Sequence, residues 1–349
     1  MFSPKFTITA NIVKNLTEIA QIKTLVDKSP LLPVREAFLR RWATIKIAHS
    51  STSIEGNTLG IYQVEQLLEN KPIKAEEKQI NEVKNYISAL KLMDQISNKK
   101  LGINQKDILN LHKNVISELV DPNKVGIFRL GPVYIVNVFP NGTEQLTYTP
   151  PDSIQVPSLI SELLDWVSKS DNHPIINAGL LHYQFETIHP FVDGNGRVGR
   201  LLTLLYLYQT GWSFRKVLVL EDYYNNNKKS YFSALQTGKD YTSRLDVDLT
   251  SWLEYFTYGF LEEVNKVKNQ IISFQTFGKH KKLIDVLNTD ELKIVDFVLT
   301  VGKITSNDVV DILQTPKRTA QSKLKRLEKV NILIKKGAGP STYYILSKN

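Results

Sequence analysis

The residues best suited to chemistry lie in one short stretch, residues 188–200, which reads IHPFVDGNGRVGR. It combines an imidazole (His189), a carboxylate (Asp193), an amide (Asn195) and two guanidinium groups (Arg197 and Arg200). Apolar residues precede and follow the stretch, which predicts a polar loop between two buried helices. A proline after His189 disfavours helical geometry at that residue, so the first helix is expected to end there.

The composition of the loop predicts an anion-binding site. Gly194 and Gly196 permit backbone conformations that other residues resist, and successive N–H groups in such a turn form a concave site for negative charge. The following helix N-terminus adds free N–H groups and the positive end of its dipole. Arg197 and Arg200, three residues apart, oppose that dipole unless an anion joins them. A polyphosphate satisfies all of these groups together.

Two other side chains of the loop extend this prediction. Asp193 would repel a bare phosphate, but it suits a Mg²⁺ ion that bridges phosphate oxygens. His189 is placed to accept a proton near neutral pH. The remaining histidines show no metal-ligand spacing and are expected to be structural or surface groups. A lone histidine or a Gly-Asn-Gly turn is usually structural, so the prediction rests on the whole string.

The string from His189 to Arg200 resembles the signature of Fic-domain proteins, His-x-Phe-x-Asp-Gly-Asn-Gly-Arg-x-x-Arg, at every fixed position. The resemblance implies a protein adenylyltransferase, which moves AMP from ATP to a Ser, Thr or Tyr hydroxyl and releases pyrophosphate. A related subfamily that phosphorylates has Lys where this chain has Gly196, so this chain is expected to transfer AMP. Removal of AMP, or transfer of another phosphate-containing group, stays open.

The resemblance also implies residue roles. His189 would be the general base, Asp193 would hold Mg²⁺, and Phe191 would anchor the loop in the core. The phosphates would be bound by the rest of the motif. The α- and β-phosphates fall to Gly194, Asn195 and Gly196, and the β- and γ-phosphates to Arg197 and Arg200. Asn195, Arg197 and Arg200 would act in catalysis with His189.

A second motif lies at the end of a predicted helix over residues 34–56. Glu55 faces the negative end of that helix, so it needs a cation elsewhere. Ser51-x-x-x-Glu55-Gly56 resembles the inhibitory motif of many Fic proteins. By that resemblance Glu55 would pair with Arg200 and compete with the γ-phosphate, and Ser51 would fix the helix. The simpler alternative is that Glu55 merely solvates a helix end.

The elements around the motif supply further candidate contacts. Helices are expected over about 11–26, 75–97, 104–119, 153–169 and 247–276, and a hairpin flap over about 132–149, turning at Asn141-Gly142. In the family such a flap pairs with the target segment as an added strand. The expected edge comprises Val133, Tyr134, Ile135, Val136 and Asn137. A purely structural hairpin is the alternative. Tyr231 and Leu235, on a helix over 228–238, are candidates for the adenine pocket, although such residues are as often plain core.

The C-terminal segment has a different pattern. From Lys281 onward there are thirteen Lys/Arg and seven Asp/Glu, a surplus of six out of the net +9 of the chain. Three helices and two strands, at about 332–334 and 342–346, resemble a winged helix-turn-helix. The basic third helix could read a DNA groove, present a solvated face or dock a protein. A DNA-binding transcriptional regulator with a nucleotide-sensing Fic core is therefore the second functional hypothesis.

Composition limits the remaining classes. The chain has 349 residues and no cysteine, which excludes disulfides and thiolate metal sites and fits a cytoplasmic protein. No signal peptide or membrane span is expected. The sequence thus predicts a mainly α protein with a Fic-type helical core. The expected divisions are an N-terminal region (1–74) with the inhibitory helix, the core (75–277) with its flap, and a winged domain (283–349). ATP and a target protein are the expected partners, and a homodimer stays open.

Overall fold

The computed structural model describes residues 2–31, 33–99, 102–138, 142–279 and 287–347. The chain packs as two units, residues 1–24 with 43–264, and residues 25–42 with 265–349. Among the described residues, three helices each contribute to both units. The predicted three-part division at 1–74, 75–277 and 283–349 stays a prediction. No helix in the described ranges combines the length and apolar character needed to cross a membrane.

The protein is mainly helical, as the sequence predicts. The helices that belong wholly or partly to the first unit begin with α1 (Ala10–Lys28), α2 (Pro33–Ile54), α3 (Ile61–Leu68), α4 (Glu77–Ser97), α5 (Gln105–Ile116), α6 (Val156–Lys169), α7 (Pro174–Ile188) and α8 (Asn195–Gln209). They are followed by α9 (Leu220–Asn226), α10 (Lys228–Leu235), α11 (Tyr241–Arg244) and the long α12 (Thr250–Lys279). The first residues of α1 and the last residues of α2 belong to this unit, with the part of α12 up to Val264.

Helix α7 is the centre of the first unit. Nearly all of its residues are buried, because it is apolar on every face. It begins at Pro174, whose missing N–H costs nothing at a helix start, and the side chain of His173 accepts from the N–H of Ile175. Helices α6 and α8 pack against α7, while α4 and α5 pack against α8. Gly179 lets α12 approach closely, because a Cβ there would lie 3.0 Å from the ring of Phe256.

The predicted flap is a two-stranded antiparallel sheet. Its strands are β1 (Ile135–Val138) and β2 (Glu144–Tyr148), paired from Ile135 with Tyr148 to Val138 with Glu144. Gly142 has a φ of +79°, as a tight turn requires, whereas Asn141 lies outside the described residues. At its root, Thr149 forms a bridge to Asp240. The hairpin is therefore tied to the helical body at the β2 end.

Within residues 287–347, the second unit contains three helices and a hairpin. These are α13 (Thr289–Val301), α14 (Ser306–Leu313), α15 (Lys317–Lys329), β3 (Leu333–Lys336) and β4 (Tyr343–Leu346), with β3 and β4 antiparallel. Capping boxes begin α13 at Asn288 and α14 at Thr305. The order of the elements is the order predicted for a winged helix-turn-helix, and that name stays a prediction.

Candidate active site

The motif loop begins where α7 ends, at His189. This residue has φ 50° and ψ 63°, in the left-handed region, and its N–H donates to the carbonyl of Phe185 at 3.0 Å. The predicted helix end is therefore correct, but the turn is left-handed rather than extended. Such a conformation costs a non-glycine residue about 1 kcal/mol and persists only where the surroundings enforce it.

Arg129 holds the backbone of His189 and Pro190 in this conformation. Its Nε donates to the carbonyl of His189 at 2.9 Å, and its backbone N–H donates to the carbonyl of Pro190 at 2.9 Å. Its two other guanidinium nitrogens donate to Gly131 and Pro151, at 3.1 and 2.5 Å. One buried guanidinium thus ties the motif loop to both ends of the flap segment. Arg129 is a positioning residue that sequence reasoning did not single out.

Phe191 and Asn195 close the loop on itself. The side chain of Asn195 accepts from the N–H of Phe191 at 2.8 Å and donates to its carbonyl at 2.9 Å. The ring of Phe191 is fully buried and stacks on His112 with centroids 3.7 Å apart. Phe191 therefore anchors the loop, and the amide of Asn195 stabilises its turn.

His112 fixes the other side of the loop. Its Nδ1 accepts from the N–H of Gly126 at 3.1 Å, so its Nε2 carries the proton that it donates to the carbonyl of Asp193, also at 3.1 Å. Burial lowers the pKa of His112 to about 4, which keeps the ring neutral and this arrangement intact. His112 is thus structural, as predicted, but it structures the candidate site itself.

The two motif glycines serve different purposes. Gly194 has a φ of +84° and precedes α8, whose first turn has no side-chain cap. The sequence interpretation that Gly196 also needs an unusual backbone is wrong, because Gly196 lies within α8 and has no positive φ. It provides space instead. A Cβ at residue 196 would collide with Oε1 of Glu55 and lie 3.0 Å from Nη1 of Arg200.

Glu55 and Arg200 lie together in the structure. Oε1 of Glu55 accepts from Nη2 of Arg200 at 2.7 Å, and the Arg200 side chain is 1% exposed against 31% for Glu55. Ser51 contributes twice, since its Oγ accepts from Nε at 2.8 Å and its carbonyl accepts from Nη2 at 3.0 Å. Ser51, in the last turn of α2, and Glu55, just after its end, therefore hold the guanidinium of Arg200. Its Nη1 is buried and has no hydrogen-bond partner among the described residues.

Arg197 is held in a parallel way by a residue that sequence reasoning missed. Its Nη1 donates to Oε1 of Glu82, on α4, at 2.7 Å, and its Nη2 donates to Asp193 at 2.9 Å. The second oxygen of Glu82 accepts from Nδ2 of Asn57 at 2.8 Å. Asn57, the residue just after the predicted inhibitory motif, is thus linked through Glu82 to Arg197. Each of the two motif arginines, when buried, needs a carboxylate partner. The second arginine was therefore the only sequence signal that a partner such as Glu82 exists.

The imidazole of His189 is positioned to act as a base. Its Nδ1 is buried and has no partner among the described residues. Burial lowers the pKa of His189 to about 4, so the ring is neutral and can accept a proton at neutral pH. Glu186, one turn earlier on α7, is a second buried titratable group of this helix. Burial raises its pKa to about 7, and its Oε1 lies over Gly199, where a Cβ would collide with it.

The two adenine-pocket candidates lie on α10 in the first unit, and the side chain of Tyr231 lies within interaction distance of Arg200. Tyr231 is 1% exposed, donates to Nε2 of His182 at 2.8 Å and stacks on Tyr224. Leu235 is also buried, whereas Phe232 on the same helix is half exposed. This placement favours a core role for Tyr231, and the adenine pocket stays a prediction.

The predicted edge of the flap lies at the surface. Tyr134 is 60% exposed and Val136 is 36% exposed. Asn137 is also exposed, and Val133 and Ile135 are partly exposed. Within the part of the chain that the structure describes, β1 pairs with β2 alone, so its outer edge has free N–H and C=O groups. That is the arrangement an added strand requires.

The residues around Asp193 fit a phosphate-bound Mg²⁺. Its side chain is about half exposed, and Oδ1 accepts from Gly194 and Arg197, which leaves Oδ2 open. The described residues contain no cluster of three or more His, Cys, Asp or Glu that could hold a metal by themselves. One carboxylate beside substrate phosphates is the usual mode for Mg²⁺, so a dedicated protein cage is not needed.

The chain is similar in sequence to known proteins over the region that contains this site. Residues 102–207 match the Fic/DOC family. The chain contains a Fic domain. It is 34% identical over 215 residues to the protein adenylyltransferase Fic of Drosophila willistoni, covering 58% of this chain and 41% of that protein. The chain thus spans about two fifths of the length of this curated relative.

Solved structures extend the likeness beyond the Fic domain. A crystal structure of a Fic family protein from Desulfovibrio desulfuricans G20 matches with a TM-score of 0.65 and 26% identity, and covers 100% of this chain and 99% of that one. Fic-1 from C. elegans (residues 134–508) has a TM-score of 0.63 and 22% identity, over 78% of this chain and 74% of that one. The second likeness shows the fold alone.

Proposed function

We propose that this Fic-domain protein is a protein adenylyltransferase that transfers AMP from ATP to a protein hydroxyl, releases pyrophosphate and is inhibited by its own Glu55. The observation that carries the proposal is the buried ion pair between Glu55 and Arg200, with Ser51 on the same guanidinium. The motif also carries two arginines, a helix N-terminus and a neutral His189, which are the groups that binding of a triphosphate and deprotonation of a hydroxyl require.

The chain's own residues divide the work of the reaction. The N–H groups at the start of α8 and the guanidinium of Arg197 would bind phosphate oxygens, as helix N-termini and arginine forks do. His189 would accept the proton of the target hydroxyl at its ring, since burial keeps the ring neutral. Arg129 and His112 hold the loop that carries both groups. The reacting oxygen and phosphorus can then be aligned before reaction, which is worth several kcal/mol.

Magnesium would be held by Asp193 through its open oxygen. A bound Mg²⁺ ion would neutralise negative charge on the phosphates. Inhibition follows from occupancy of Arg200, since the carboxylate of Glu55 holds Nη2 and a γ-phosphate that binds the fork of both Nη1 and Nη2 would have to displace it. ATP that lacks this contact would lie out of line with the target hydroxyl, and misplacement by about 1 Å costs on the order of 100-fold in rate.

The target is proposed to be a protein segment that adds to the free edge of β1, between Val133 and Asn137. Main-chain hydrogen bonds there would place a Ser, Thr or Tyr hydroxyl without specifying the sequence. A cytoplasmic location is proposed from the lack of cysteine alone, and a homodimer stays a prediction. Duplex DNA is a separate candidate partner, for the second unit, and it does not depend on the transfer activity.

The test is transfer of label from ATP labelled at the α-phosphate, with Mg²⁺ and a set of cell proteins. Glu55→Gly should label a protein strongly, the unchanged protein weakly or not at all, and the double variant with His189→Ala not at all. ATP labelled at the γ-phosphate should leave proteins unlabelled. An inert Glu55→Gly, or labelling from the γ-phosphate instead, would overturn the proposal. Loss of label from modified protein would identify AMP removal, the alternative reaction of the same site.

A further inference from the structure

The basic residues of α15 fall into two groups with different surroundings. On one side, Lys323 lies 3.0 Å from Asp290 and Arg326 lies 3.2 Å from Glu291, both at the start of α13. These charges are neutralised within the fold. The positive charge of α15 is therefore unevenly distributed, and Lys323 and Arg326 are already paired. Only the other basic side chains of the helix are available to a partner.

The other side of α15 faces a cleft of about 340 Å³ between this helix, the start of α14 and the β3–β4 hairpin. Lys317 and Lys325 reach it from α15, and Lys335 reaches it from β3. All three are exposed, and none of the described residues that line the cleft carries a carboxylate. Three like charges that face one space repel each other, so the cleft is suited to an anion with several negative charges.

The other groups in the lining indicate what kind of anion this is. The lining adds the hydroxyls of Thr305, Ser306 and Thr342 and the amides of Asn307 and Gln321, with a single aromatic ring, Tyr344. Sites for small molecules are mostly apolar and aromatic, because they bury a ring. A lining of lysines, hydroxyls and amides is instead what binds the phosphates and sugars of a nucleic acid backbone.

We infer that this cleft binds the phosphate backbone of duplex DNA, with Lys317, Lys325 and Lys335 as the contacting cations. The helix and the hairpin that flank the cleft would lie along one DNA strand. Arg318 and Thr319, which follow Lys317 at the start of α15, are also exposed. Phosphate contacts fix position without reading bases, so the cleft itself confers affinity and register rather than sequence preference. This inference does not rest on the transfer activity.

The test is binding of the full-length protein to a labelled duplex of about 25 base pairs, measured by anisotropy over a salt series. The chain offers a matched pair of double variants. Lys325→Ala with Lys335→Ala removes one cleft lysine from α15 and one from β3. Lys329→Ala with Lys336→Ala removes one exposed lysine from each of the same elements, outside the cleft. Both lower the net charge equally, and both change exposed side chains only.

The cleft variant should weaken binding at least about 10-fold and reduce the slope of log affinity against log salt by about 2, since each phosphate contact contributes about 0.9. The control variant should change affinity less than about 3-fold. Equal losses in both variants would overturn the inference, as would no duplex binding by the unchanged protein at low salt. Displacement of the duplex by inorganic triphosphate at matched phosphate concentration would show a site for free phosphate compounds and would also overturn it.

Discussion

The link from Glu82 to Arg197 allows a prediction about stability that does not require the target. The change is Glu82→Gln, which keeps the shape and hydrogen-bonding capacity of the side chain but removes its charge. The two side chains are 15% and 5% exposed, so the pair is largely buried. Removing one charge from such a pair costs about 3–5 kcal/mol when nothing compensates. Asp193, half exposed and 2.9 Å from Arg197, compensates in part. We therefore expect a loss of about 2–3 kcal/mol.

The assay is urea unfolding followed by circular dichroism, with and without ATP and Mg²⁺. Glu77→Gln is the matched control, since it makes the same substitution at an exposed position of the same helix. It should change stability by less than about 0.5 kcal/mol. Because Arg197 of the Glu82→Gln variant lacks its buried anion, bound ATP should restore more stability to this variant than to the unchanged protein. Equal gains from ATP would refute the assignment of Arg197 as a phosphate ligand. Equal stability of the two variants would refute the stabilising role of the Glu82–Arg197 pair.

Three further predictions follow from buried groups of the first unit. In a Glu55→Gly background the transfer rate should fall as pH drops through about 4, because burial lowers the pKa of His189 to that value; a fall near 6.5 would contradict this. Glu221→Gln should stabilise the protein increasingly between pH 5 and 8, by about 1–3 kcal/mol in thermal unfolding, because burial raises the pKa of Glu221 to about 8 and ionisation opposes folding as pH rises. Arg129→Lys should slow transfer about 10- to 100-fold with unchanged ATP affinity in calorimetry, since a lysine cannot hold three carbonyls; a change in affinity alone would argue against a positioning role.

Much of the fold was predictable because helix periodicity is a local signal. Helix α4 was expected over 75–97 and spans Glu77–Ser97, and α12 was expected over 247–276 and spans Thr250–Lys279. The ends moved by up to three residues, because caps such as the box from Asn104 to Asp107 depend on local geometry. The division of the chain into two packed units could not be predicted from the sequence, because helices such as α2 and α12 are continuous in sequence but contribute to both units.

The candidate site was predictable in its motif but not in its supports. A carboxylate at the negative end of a helix indicated that Glu55 needs a cation, and the resemblance to the Fic inhibitory motif named Arg200 as that cation. Glu82 and Arg129 were not found, because a charged residue on a helix or loop gives no sign of its partner across the fold. Gly196 was assigned the wrong reason, since sequence shows that a position is glycine but not whether backbone or space requires it.

The claim that everything else depends on is that Glu55 and the γ-phosphate of ATP compete for Arg200. Calorimetry of ATP and ADP binding to four proteins tests it directly: the unchanged chain, Glu55→Gly, Arg200→Ala and the double variant. Glu55→Gly should tighten ATP by about 10- to 100-fold, from one or two charge-assisted hydrogen bonds, and leave ADP nearly unchanged. That gain should vanish when Arg200 is absent. If Glu55→Gly tightens ATP equally in both backgrounds, or tightens ADP as much as ATP, the account is contradicted.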